Sequence, residues 1–117
     1  REIFNYYKNE LSIIKEIAFL EDFAESYSNH WLTTILLAKD SAIDREEMRL
    51  HLEKDNIESR PLWKPMHLQP VFKDCRSYVN GVSEDLFNRG LCLPSGTSMT
   101  QKDLKRVVRK VKELYEV

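Results

Sequence analysis

The segment Glu58–Phe72 carries prolines at positions 61, 65 and 70. Each proline locks its own φ and removes a backbone donor. Each also pushes the preceding residue, here Arg60, Lys64 and Gln69, toward extended backbone. The segment therefore predicts a rigid extended ribbon, with no regular helix and no strand inside a sheet. Its side chains are unusual for a connector: Arg60, Trp63, Lys64, Met66, His67, Gln69 and Phe72. Two cations, an imidazole, an amide and two aromatics on a stiff support suit an anionic ligand with a flat or ring-shaped part. The same composition also describes a proline-stiffened connector whose Trp63, Leu68 and Phe72 anchor it in a core. At the level of the residues both readings stand.

Composition narrows the class. A chain of 117 residues makes one domain, long enough to bury roughly two thirds of its unfolded surface. With 42% hydrophobic and 32% charged residues it has the make-up of an ordinary globular protein. A net charge of −1 argues against nucleic acid as the main partner, because phosphate neutralisation needs a surplus of Lys and Arg. No apolar run is long enough to span a membrane. Cys75 and Cys92 have no second pair and no His-rich spacing, so no metal site is expected. Cys92 sits within Leu91-Cys92-Leu93, as a buried reduced thiol would, and a reducing cytoplasm is the expected compartment.

Periodicity orders the elements. Residues 1–15 place Ile3, Phe4, Tyr7, Leu11 and Ile14 at helical spacing. Residues 17–20 form a short extended piece, and the polar stretch to Asn29 reads as a linker. Residues 31–37 are a β-branched, apolar strand, and their poor alternation predicts burial on both faces. A helix follows over 44–55, capped by Ser41 or Asp44 and facing Met48 and Leu52 inward. Residues 57–62 predict a second strand. Ser83–Gly90 reads as a short helix with Ser83 as its N-cap, and Leu91–Leu93 as a buried strand stopped by Pro94. The last helix starts at a Thr100–Asp103 capping box and aligns Leu104, Val107, Val108, Val111, Leu114 and Tyr115. These elements describe an α+β domain, a small sheet with helices packed on one side.

The candidate site residues each have a plainer alternative. His67 can donate to a phosphate, a sugar hydroxyl or a developing negative charge, or it can be a satisfied structural imidazole. Lys64 is a phosphate-facing cation or an exposed lysine. Arg60 can fork onto a phosphate or pair with Glu58. Trp63 can stack on a flat or ring-shaped ligand, although a core tryptophan is the default, and Trp31 is expected to pack at the domain edge. The turn 94–97 offers amides and hydroxyls just before a helix, making Ser95 and Gly96 a candidate anion contact. It is equally a plain strand-to-helix turn, with Gly96 there for backbone freedom. The cations Lys102, Lys105, Arg106, Arg109, Lys110 and Lys112 of the last helix read as a solvated face.

The ribbon motif from Arg60 to Phe72, Gly90-Leu-Cys-Leu-Pro-Ser-Gly96 and Met99-Thr100 with Asp103 together resemble the DegT/DnrJ/StrS family of pyridoxal-phosphate-dependent sugar aminotransferases. The likeness extends back through Asn29–Thr33 to the first helix. It implies the small C-terminal domain of a fold-type I enzyme, with residues 1–15 as the end of an interdomain helix and 16–117 as the domain. The family's Schiff-base lysine lies in a different motif, so this stretch alone is expected to be inactive, and pyridoxal phosphate is expected to be anchored elsewhere. By the same resemblance Arg60, Trp63, Lys64, Met66, His67 and Gln69 are substrate-side residues, with no catalytic residue among them. The implied reaction moves an amino group from glutamate to a UDP-linked 4-keto-6-deoxy sugar, in a homodimer, for surface polysaccharide or glycoprotein synthesis. The alternative is a non-catalytic sugar-nucleotide-binding or regulatory module.

Overall fold

The computed structural model describes residues 1–117, and its elements follow the chain as α1 (Glu2–Leu11), β1 (Ile17–Phe19), β2 (Thr33–Leu37), α2 (Arg45–Lys54), β3 (Arg60–Pro61), α3 (Val82–Arg89), β4 (Gly90–Leu93) and α4 (Gln101–Leu114). The four strands form one antiparallel sheet in the order β1-β2-β4-β3. Helices α1, α2 and α4 supply Tyr7, Leu11, Met48, Leu52, Leu104, Val107, Val108 and Val111 to a core completed by Ile17, Ile35, Leu37, Leu91 and Leu93 from the sheet. The α+β architecture is the one read from periodicity.

Helix ends follow local chemistry. The Asp44 carboxylate accepts from the Glu47 amide at 2.7 Å and starts α2. Thr100 and Asp103 form the reciprocal box that starts α4: Asp103 accepts from the Thr100 amide at 2.8 Å, and the Asp103 amide donates to the Thr100 hydroxyl at 3.3 Å. The hydrogen bonds from Thr100 hold the Asp103 carboxyl below the usual carboxylate range. Helix α1 ends at Leu11, short of residue 15, because the chain turns through Ser12 to bring Ile14 and Ile17 into the core.

Four expectations are corrected. Helix α3 begins at Val82, so Ser83 lies inside it; the cap is Gly81, at φ 83°, with the Asn80 side chain accepting from the Val82 amide at 3.2 Å. Strand β2 is not equally buried on both faces. Thr33, Ile35 and Leu37 are buried while Thr34 and Leu36 are half-buried, because the helices cover one face. The expected strand over 57–62 shrinks to β3, an edge strand whose proline faces away from any further partner. The ribbon is not extended throughout. Single 3-10 turns occupy Met66–Leu68 and Pro70–Phe72, closed by the Leu68 amide on the Pro65 carbonyl at 3.0 Å and the Phe72 amide on the Gln69 carbonyl at 2.9 Å. Proline's preset φ suits the opening of a tight turn, so Pro65 and Pro70 start turns as well as stiffening the chain.

Gly90 is required by contact. A Cβ there would stand 2.6 Å from the Leu86 carbonyl oxygen and overlap the Leu62 side chain. The bare backbone lets the end of α3 and the chain after β3 close on β4.

Two outcomes follow from this packing. Val108 is 4% exposed, so Val108→Asp places an unpaired charge in the core and should destabilise the domain by more than about 3 kcal/mol. Arg109→Glu, on the outer face, should change stability by less than about 0.5 kcal/mol; equal thermal midpoints for the two variants would contradict the orientation of α4. Cys75 is exposed, whereas burial of Cys92 raises its thiol pKa. Under native conditions a thiol reagent should therefore label Cys75 quickly and Cys92 only after unfolding, and rapid labelling of both would show that β4 is not in the core.

Candidate functional site

Strand β3, the turn after β4 and the first half of α4 enclose a cleft of about 730 Å³. Its buried lining includes Cys92, Leu93 and Val107, and Met99 also lines it. The rim carries two tryptophans, Trp31 and Trp63, and two arginines, Arg60 and Arg106. Trp31 is 70% and Trp63 69% exposed. Neither is a core or edge-packing residue, contrary to the default expectation for each; apolar rings of this size left open to water form a ready contact surface.

The tryptophans are placed by different devices. Trp63 follows Pro61 on β3, whose pairing with Leu91 sets the direction of the ribbon as it leaves the sheet. Trp31 follows His30, a non-glycine residue held at φ 46°. The His30 ring stacks on Phe4 with centroids 3.7 Å apart, and its Nε2 lies 3.0 Å from the Asp22 carboxylate. Arg1 binds the same carboxylate at 3.2 Å and covers the Tyr27 ring. Desolvation raises the Asp22 carboxyl, but the Arg1 hydrogen bond and the His30 and Arg1 charges outweigh it, and the group stays below its usual value. This cluster fastens the chain before β2 onto α1 and turns Trp31 to the cleft.

The turn after β4 is built from paired polar groups. The buried Tyr7 hydroxyl donates to the Pro94 carbonyl at 2.9 Å. Burial raises the Tyr7 pKa far above the ordinary phenol value, so the hydroxyl keeps its proton and remains a donor. The Ser95 hydroxyl accepts from the Thr33 amide at 2.9 Å and donates to the Leu93 carbonyl at 3.0 Å. Ser95 therefore ties β2 to the turn, although it lines the cleft. Gly96 lies on the wall, and a Cβ there would meet only the Ser98 hydroxyl at 3.9 Å; its φ is not positive, so backbone freedom is not what this position demands.

Of the six ribbon residues expected on the substrate side, Arg60 and Trp63 line the cleft, together with their neighbours Glu58, Ser59 and Pro61. Arg60 pairs with Glu58 at 2.6 Å, but both side chains are more than 70% exposed, so a ligand anion can displace this pair at little cost. Lys64 and Met66 are exposed outside the cleft. The His67 side chain is 17% exposed and its Nε2 lies 3.5 Å from Glu84 at the start of α3. The Gln69 amide donates to the Lys64 carbonyl at 3.0 Å, closing the ribbon on itself. The structure thus joins Arg60, Trp63, Ser95 and Gly96 in one site and leaves Lys64, Met66, His67 and Gln69 outside it.

Several lining residues carried no sequence signal as a site. Arg106 reads as part of a solvated face, yet it borders the cleft and donates to the Asp55 carbonyl. Ser59 is 7% exposed, and its hydroxyl has no hydrogen-bond partner within the protein. Only the proximity of β3 to α4 could reveal these two. No lysine lines the cleft, so its residues do not fit covalent attachment of pyridoxal phosphate. No cluster of His, Cys, Asp or Glu is placed to hold a metal, and no helix is long and apolar enough to cross a membrane.

The chain is 41% identical over 98% of its length to EpsN of Bacillus subtilis, whose name describes a pyridoxal phosphate-dependent aminotransferase, and covers 30% of that protein. It is 29% identical over 98% of its length to a GDP-perosamine synthase of Escherichia coli, again covering 30%. The chain therefore spans about a third of the length of the relatives it matches. Among solved structures, the fold superposes on the aminotransferase TlmJ of Streptoalloteichus hindustanus with a TM-score of 0.86 at 20% identity, over 99% of this chain and 31% of that one. It also superposes on Helicobacter pylori PseC, an aminotransferase of pseudoaminic acid biosynthesis, with a TM-score of 0.84 at 16% identity, over 98% of this chain and 31% of that one. The domain accordingly has the fold of the corresponding part of fold-type I aminotransferases. The model of the DegT/DnrJ/EryC1/StrS aminotransferase family matches residues 1–112, and the chain belongs to that family.

Proposed function

We propose that this domain forms the nucleotide-sugar side of a sugar aminotransferase, and that the Trp31–Trp63 cleft receives the nucleoside diphosphate. The observation that carries this reading is two largely exposed indole rings beside Arg60 and Arg106 on one concave surface. An aromatic face takes up a base by stacking, a sequence-tolerant interaction, and guanidinium groups suit phosphate oxygens. In the whole protein the keto carbon of the sugar becomes a primary amine as glutamate becomes 2-oxoglutarate. The amino carrier, pyridoxal phosphate, is assigned to the part of the protein beyond these 117 residues. These residues alone should then show no transaminase activity.

The ribbon's resemblance to family members that act on UDP-linked 4-keto-6-deoxy sugars supports such a substrate, used in surface polysaccharide or glycoprotein synthesis by a cytoplasmic homodimer. The names of relatives such as GDP-perosamine synthase give a specific ground for the competing GDP-linked substrate. Within the ribbon the roles divide. Arg60 and Trp63 touch the nucleotide, with Ser95 and Gly96 as the wall beneath it. Lys64 and Met66 meet the sugar portion or the rest of the protein. Gln69 holds the ribbon's shape through the Lys64 carbonyl, while the His67 ring, half-buried 3.5 Å from Glu84 and with its Nε2 without a hydrogen-bond partner, stays available to the substrate.

In the full-length protein, Trp63→Ala should remove a stacking contact of about 1–3 kcal/mol and weaken nucleoside-diphosphate binding by about five- to a hundredfold. The half-reaction with glutamate should be unchanged. Titration with UDP and GDP in parallel identifies the base. Unchanged affinity for both, with impaired reaction of glutamate, would move the cleft from the nucleotide to the amino donor.

A further inference from the structure

Helix α4 carries a second feature that the cleft does not absorb. Lys102, Lys105, Arg106 and Arg109 fall at the spacing i, i+3, i+4, i+7, one face of a helix. That face lies opposite the buried stripe of Leu104, Val107, Val108 and Val111. The four cations line a shallow surface depression with no other residue type in it. Their partners are few. Arg109 approaches Glu113 only at 3.7 Å, and Arg106 donates to a neutral carbonyl at Asp55. The Asp55 and Glu113 carboxylates are occupied by Lys110, at 3.1 and 2.8 Å. A further acid beside the stripe, Asp103, is bound into the helix cap by Thr100.

The stripe is continuous with the cleft, because Arg106 belongs to both. A chain of net charge −1 thus concentrates four weakly paired cations on one helix face that adjoins the cleft through Arg106. Over seven residues the stripe extends about 10 Å, shorter than the Debye length in dilute salt and comparable to it near about 0.1 M, so in dilute salt its charges act together on an approaching ion.

We infer that Lys102, Lys105 and Arg109 form an electrostatic approach path that captures a nucleoside diphosphate and delivers it to Arg106 at the cleft. This rests on the nucleotide reading of the cleft and adds residues that act on the rate of entry without touching the seated ligand. Charges of this kind raise association rates about tenfold or more in dilute salt and lose the effect as salt rises.

The test is stopped-flow binding of fluorescently labelled UDP to the full-length protein, from about 0.02 to about 0.3 M salt, a range over which screening changes strongly. It compares wild type, Lys102→Gln/Lys105→Gln/Arg109→Gln and Trp63→Ala. The triple variant alters exposed helix positions to a residue of similar helix propensity and should fold normally. Its association rate should fall about tenfold in dilute salt and lose most of its salt dependence, with the dissociation rate unchanged. Trp63→Ala should do the reverse, dissociating faster at an unchanged association rate. Parallel salt dependences for wild type and the triple variant, with Trp63→Ala still dissociating faster, overturn the approach path and leave the cleft reading intact. A labelled GDP control run alongside separates base preference from loss of site: no binding of either nucleotide to wild type overturns the cleft reading and the approach path with it.

Discussion

The hydrogen bond from Tyr7 to the Pro94 carbonyl is the joint on which the rest of the domain depends. A phenol buried in an apolar core must find an acceptor or bear a large desolvation cost. The acceptor it finds is 87 residues away in sequence, at the point where β4 ends and the chain turns toward α4. On the other side of the same turn, Ser95 bridges the Thr33 amide and the Leu93 carbonyl. Together these bonds fix α1, β2, β4 and the approach to α4 relative to one another. The wall of the cleft is the same turn, so the site is rigid where it meets the core.

The opposite rim is built from weaker and more local interactions. The ribbon leaves the sheet at β3, only two residues long, and keeps its shape through two 3-10 turns and the Gln69 side chain. Trp31 is presented by the Asp22–His30–Arg1 cluster, whose members are partly open to water and individually worth little. The proposed nucleotide site thus combines a floor fixed to the core with two exposed rings that are each supported separately. The charges follow the same division. Structural ion pairs such as Arg89 with Asp85, at 2.5 Å, lie away from the cleft, while the cations facing it are held loosely.

Much of the fold was legible in the residues. The final helix is the clearest case, because its capping box and its apolar stripe agree on start, length and buried face. The second helix was equally legible from Asp44 and its inward Met48 and Leu52. The third was placed correctly and capped wrongly, since Gly81 in the left-handed region is a cap by backbone geometry with no side-chain mark. The prolines correctly excluded an interior strand, but they did not disclose the turns at Pro65 and Pro70, because one fixed φ is compatible with extended chain and with the first residue of a turn.

The site divides along the same line. Residues 58–72 by composition fitted a recognition surface and a stiff connector alike, and it was the motifs in and around them that pointed to the family to which the chain belongs. Which of those residues face the cleft was not legible, since the orientation of each depends on how β3 docks against β4 and on the turns that follow. Arg106 was hidden for a related reason: helical periodicity says which residues point away from a core, but not what lies beyond them. Spacing and local backbone preference set the helices, the strand-rich centre and the chemistry on the ribbon. That Trp31, Trp63, Arg60 and Arg106 line one cleft is a product of packing, because it requires segments up to 75 residues apart (31 to 106) to be brought together by the sheet and its helices.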